Sequence, residues 1–112
     1  MAFSELAKEC VALAIHGETE KAEALWGKTY NSNHEGYAVL KEEVEEAGAE
    51  LSVLVNYLGH SWDKVKRGDS EGLKDNIECI KAHTEKMALE AIQVAAVCNK
   101  ILNGLQTAGE ME

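Results

Sequence analysis

Proline is absent from this chain, and aromatic residues make up only 5% of it. Without proline no residue breaks a helix from within, and no stretch alternates polar with apolar residues as a half-buried strand requires. Cations are scarce too: 11 Lys and Arg stand against 20 Asp and Glu, a net charge of −9. Such a field repels nucleic-acid backbones and anionic lipid surfaces, which excludes a polyanion-binding module. A free nucleotide stays admissible, because a bound cation reverses the local sign. Long hydrophobic runs are missing as well. The apolar stretch near the N-terminus is interrupted by Lys8 and Glu9, and no segment reaches the roughly 20 residues of a membrane span. The same stretch lacks the basic start and cleavage pattern of a secretory signal, so a cytoplasmic protein with no membrane partner is expected. Cysteine is limited to Cys10, Cys79 and Cys98. Odd in number, far apart and in apolar helical contexts, they read as buried reduced thiols.

What the chain does contain is Ala, Leu, Glu and Lys in helical patterns. Its 112 residues fit a single domain, 1–112. A first helix is predicted from Ser4 as N-cap, with Leu6, Cys10, Leu13 and Ala14 on one side; it ends at Gly17 or resumes through Glu18–Trp26. Residues 27–33, rich in turn formers, read as a loop, with Asn33 capping a second helix from His34 to about Lys66, roughly 50 Å long. Its apolar stripe is Leu40, Val44, Ala47, Leu51, Leu54, Leu58 and Trp62, with Trp62 in the core. A joint at residues 67–72 precedes a third helix, reaching about Asn103 with a stop at Gly104 and a frayed tail over 106–112. The expected architecture is all-α: a long antiparallel helical hairpin with a shorter N-terminal helix. Its spare apolar surface is completed into a four-helix-bundle core by pairing as a homodimer or homotetramer.

The second helix carries a concentration of acids. Glu35, Glu42, Glu43, Glu46 and Glu50 fall within roughly a quarter-turn arc at 100° per residue, with no lysine interleaved on that arc. Crowded carboxylates repel, and a hard divalent cation such as Mg²⁺ removes the repulsion by taking oxygen ligands; the plain alternative is a solvated acidic face. Glu43 and Glu46 are i, i+3 neighbours, and Glu42 and Glu46 are i, i+4 neighbours. On the third helix, Glu90 lies at the edge of the apolar stripe with Gln93 one turn later, and Lys86 and Lys100 follow the same margin. Trp26 and Tyr30, just before the acidic helix, are candidates for stacking on a nucleobase or for packing over the helices. The four histidines show no paired metal spacing. No Glu-x-x-His pair of the di-iron bundles is present.

Residues 42–46, Glu-Glu-Val-Glu-Glu, together with the approach 31–39 (NSNHEGYAV) and the segment 90–96 (EAIQVAA), resemble the MazG-like, all-α nucleoside triphosphate pyrophosphohydrolases. The resemblance spans about residues 18–105. That family pairs a Glu-Glu-x-x-Glu motif on one helix with a Glu-x-x-Asp motif on the next. The resemblance implies Glu43, Glu46 and Glu90 as metal ligands, with Gln93 at the fourth position where the family has Asp. It implies Mg²⁺, or Mn²⁺, as cofactor and a nucleoside triphosphate as substrate, hydrolysed between the α- and β-phosphates to a nucleoside monophosphate and pyrophosphate. Glu42 or Glu46 would act as general base, and Lys86 and Lys100 would contact phosphate. Gln93 removes one negative charge from the set. The competing reading is therefore a catalytically inactive oligomeric protein of the same fold that binds nucleotide or metal, or serves as an interaction module.

Overall fold

Ser4 opens the first helix through its hydroxyl, which accepts a hydrogen bond from the Ala7 amide at 3.1 Å and so satisfies one of the orphan donors of the first turn. The computed structural model describes residues 2–111, and the side chains up to residue 107. Helix α1 runs from Glu5 to Trp26 without a break at Gly17. A single exposed glycine costs a helix about 1 kcal/mol, less than the flanking turns supply. Helix α2 spans Asn33–Arg67. Its cap lies one residue earlier than expected: the Ser32 hydroxyl, not Asn33, accepts from the Glu35 amide at 3.1 Å.

The second joint is tighter than the first. Gly68 takes a left-handed φ of 68°, a conformation cheap only for glycine. Asp69 then caps helix α3, Ser70–Met111, by accepting from the Gly72 amide at 2.9 Å. That backbone bond, with Lys64 at 3.4 Å, holds the Asp69 carboxyl below its usual range. The expected stop at Gly104 is absent. The helix continues through it, because Gly104 packs against Thr29 of the preceding loop and tertiary contact overrides local propensity. The helix runs on through residues 106–111, where a frayed tail is expected, and Glu112 lies outside the described residues. The protein is all-α, and no strand occurs among the described residues. No helix of the described residues is long and apolar enough to cross a membrane.

The chain divides into two compact units, Met1–Val44 with Ala91–Glu112, and Glu45–Glu90. In the first, the end of α3 faces α1 through polar pairs. Gln93 Nε2 donates to Glu18 at 2.8 Å, Asn99 Nδ2 to Thr19 Oγ1 at 3.1 Å, and Asn103 Nδ2 to Glu23 at 2.9 Å. Side-chain amides on α3 thus satisfy acids on α1 without a cation. Ala96 is the one buried hydrophobic residue among the described side chains. Gly36 explains how closely α2 approaches in this unit: a Cβ there would sit 3.1 Å from Ile101 and 3.3 Å from Tyr30.

In the second unit α2 and α3 pair through Glu50 with His83 and Lys86, Tyr57 with His83, and Lys64 with the turn at Asp69. The partner numbers fall along α3 as they rise along α2, so the two segments run antiparallel. The half-buried and buried residues of α2 here are Ala47, Glu50, Val53, Leu54, Tyr57, Ser61 and Lys64. This differs from the expected stripe. Ala47 and Leu54 do face inward, but Leu51, Leu58 and Trp62 are exposed, and Trp62 is not a core residue of the chain. The inward side of α2 is rotated from the apolar stripe by roughly a quarter turn at 100° per residue and is the more polar one, so in this unit only the near edge of the stripe, Ala47 and Leu54, is covered. Cys10 likewise is exposed, while Cys79 and Cys98 are half-buried and all three are free thiols. Residues 5–13 of α1 are all exposed, so nothing covers Cys10.

Candidate metal centre

Helix periodicity places Glu43 and Glu46 one turn apart on α2, and Glu90 approaches from α3. One carboxylate oxygen from each of the three lies within 4.8 Å of the others. Glu43 and Glu90 are half-buried and Glu46 is exposed. Magnesium–oxygen bonds of about 2.1 Å separate adjacent ligand oxygens by about 3 Å and opposite ones by about 4 Å. The three carboxylates therefore need only small side-chain rotations to share one ion. A set of three hard anionic oxygens suits Mg²⁺ or Mn²⁺ and leaves the remaining positions to water or phosphate.

The other expected site residues are distributed differently. Glu42 is exposed on the solvent side of α2, next to the cluster in sequence. Gln93 has its amide nitrogen engaged by Glu18 in the first unit, which leaves its carbonyl oxygen as the atom available to a ligand. Lys86 is committed to Glu50, 2.9 Å away. That bond and the Glu50 charge raise the Lys86 pKa, with Glu90 and Glu46 adding smaller contributions in the same direction. Lys86 is thus electrostatically coupled to two of the three clustered acids.

Lys100, Tyr30 and Trp26 come together in the first unit. Lys100 is buried, its ammonium 4.2 Å from the centre of the Tyr30 ring and 3.5 Å from the Trp26 carbonyl oxygen. A cation over an aromatic face in a desolvated position is attracted by about 2 kcal/mol. Tyr30, Ser32, Asn33, Gly36, Lys100, Ile101 and Gly104 surround a cavity of about 20 Å³, room for a single water. Burial raises the Tyr30 phenol pKa, and the charges of Glu43 and Glu35 raise it further. The Trp26 side chain projects into solvent.

One pair escaped sequence reasoning. His83 Nδ1 lies 2.8 Å from Glu50 Oε2, and the imidazole stacks on Tyr57 with ring centres 5.8 Å apart. Hydropathy carries no trace of such a contact. The signal that finds it is register: Ala47, Glu50, Leu54, Tyr57, Ser61 and Lys64 repeat at alternating three- and four-residue steps, as do Leu73, Asn76, Ile80, His83, Met87 and Glu90. That is the spacing of a two-helix seam. Compared with protein-family models, with curated proteins and with solved structures, the chain finds no match.

Proposed function

We propose that this chain is a Mg²⁺-dependent nucleotide pyrophosphohydrolase of the MazG-like kind, cleaving a nucleoside or deoxynucleoside triphosphate to the monophosphate and pyrophosphate. The observation that carries the reading is the convergence of Glu43, Glu46 and Glu90 from two helices within 4.8 Å. Those three carboxylates would hold the ion, and Gln93 would contribute through its carbonyl oxygen. When bound, a divalent cation neutralises phosphate oxygens and lowers the pKa of a bound water. The residues around it supply the rest. Glu42 or Glu46, both exposed, takes the proton from the attacking water. Lys100 and Lys86 would contact phosphate oxygens on leaving the Trp26 carbonyl and the Glu50 carboxylate that now hold them, and Trp26 and Tyr30 would offer aromatic faces to a base. The same reading has the long antiparallel hairpin completing a four-helix-bundle core with further copies of the chain, as a dimer or tetramer.

A second reading is favoured by a specific contact. The Gln93 amide is hydrogen-bonded to Glu18, where a charged Asp would be repelled. A chain that keeps the fold and binds metal or nucleotide without turnover would use Gln93 in this structural way. Pyrophosphate release from a panel of canonical and modified NTPs and dNTPs, with Mg²⁺ or Mn²⁺, separates the two. Metal-dependent release by the wild type that vanishes in Glu43→Ala supports the hydrolase. No release from any substrate by folded protein supports the inactive reading.

A further inference from the structure

In the second unit Glu50 follows Glu46 by four residues on α2, and Lys86 precedes Glu90 by four residues on α3. The two segments run antiparallel, so the Glu50–Lys86 pair at 2.9 Å forms the next rung of the seam beside Glu46 and Glu90, which share the cluster of carboxylates within 4.8 Å. Residues four apart on a helix are neighbours. Lys86 therefore has two acids to choose between, Glu50 across the seam and Glu90 on its own helix. Both charges raise the Lys86 pKa, and Glu50 contributes the more. The choice has a consequence for the cluster, because an ammonium seated on Glu90 competes there with any divalent cation.

Three features decide for Glu50. It is 8% exposed, and opposite charges attract more strongly where water is excluded. Both its oxygens are engaged: Oε1 meets Lys86, and Oε2 lies 2.8 Å from His83 Nδ1. The His83 ring in turn stacks on Tyr57, so the carboxylate is braced and loses little freedom in holding a lysine. Glu90 is only half-buried, and it follows Lys86 along its own helix, which is the weaker order for an i, i+4 pair. We infer that Glu50 is a positioning residue for the metal centre: braced by His83, it holds the Lys86 ammonium away from Glu90, so that Glu90 meets a divalent cation and not a lysine. The inference rests on the metal centre proposed above and adds the side chains that set its affinity.

The test uses full-length protein with Mn²⁺ as the probe, its binding followed by electron paramagnetic resonance in the wild type, Glu50→Gln, Lys86→Met and the double variant. Removing a nearby charge alters metal affinity in any account, so the deciding quantity is the interaction between the two substitutions. Lys86→Met is expected to tighten Mn²⁺ by about tenfold more in the Glu50→Gln background than in the wild type. Equal gains in both backgrounds overturn the proposal, because Glu50 then acts by its charge alone. Failure of all four proteins to bind Mn²⁺ removes the metal centre itself, and the holding role is then decided without metal. Nitrogen-15 NMR of the Lys86 ammonium, assigned by its loss in Lys86→Met, is expected to respond more to Glu90→Gln in the Glu50→Gln background than in the wild type. Equal responses overturn the proposal. If Glu50→Gln fails to fold, Glu50→Asp replaces it in both cycles, since it keeps the charge and draws the carboxylate back from Lys86.

Discussion

Glu50 and His83 are 33 residues apart in sequence, and their side chains meet at 2.8 Å. Glu50 also accepts from Lys86 at 2.9 Å and is among the few buried polar residues of the chain. The Lys86 bond first, and the His83 bond second, hold the Glu50 carboxyl below its usual range. A depressed carboxyl contributes stability that is present above its unfolded value of about 4.3 and is lost as pH falls through the folded value. Urea midpoints should therefore drop on acidification below about pH 5, and Glu50→Gln should make that drop shallower while lowering the midpoint at neutral pH. Equal acid sensitivity in both proteins would contradict the assignment.

Metal affinity should be readable without turnover. A ligand at a hundred times its Kd stabilises the folded state by about 2.7 kcal/mol, which for a domain this size raises Tm by on the order of 10 °C. Mg²⁺ or Mn²⁺ at millimolar concentration is expected to raise the wild-type Tm, and Glu90→Gln or Glu43→Gln to remove the rise. A metal-induced rise that survives in both variants would place the ion elsewhere.

Element positions were largely legible in the sequence, and helix faces were not. Ser4 and the turn-rich stretch 27–33 act through short-range backbone chemistry, so the starts of α1 and α2 could be read to within about a residue, whereas α3 begins at Ser70, inside the joint read over 67–72. Which side of α2 turns inward depends on what α3 presents. Glu50, Tyr57 and Lys64 face it because they find His83, Cys79 or the joint there, and this leaves Leu58 and Trp62 on the outside. The acidic cluster was half legible. Glu43 and Glu46 are fixed by the geometry of one helix, whereas Glu90 lies on another helix and entered the set only through the family resemblance.

The Gln93–Glu18 contact should show as a coupling energy. Gln93→Asp places a second carboxylate beside Glu18 in a partly buried position, so it should destabilise the chain, and Glu18→Gln should rescue it. The double-mutant cycle is expected to return roughly 1 kcal/mol of interaction. This bears on any search for gained activity: Gln93→Asp alone disturbs the packing of α1, and only the Glu18→Gln, Gln93→Asp double variant tests the charge at that position. Additive effects within error would mean that the two side chains do not communicate.

Asn76 lies in the α3 register between Leu73 and Ile80, and its Nδ2 is the one buried side-chain donor without a partner among the described residues. An unsatisfied buried donor carries its desolvation cost with no bond to offset it, while an apolar replacement of similar volume removes that cost. Asn76→Leu should therefore stabilise the protein by about 1 kcal/mol, a gain of about 4 °C or more in Tm. A buried Asn in a helix seam also excludes alternative pairings at the expense of stability. The more stable variant is thus expected to populate more than one mass in sedimentation, where the wild type gives one. A lower Tm for Asn76→Leu would show that the amide has a partner in solution and that its burial is not a cost.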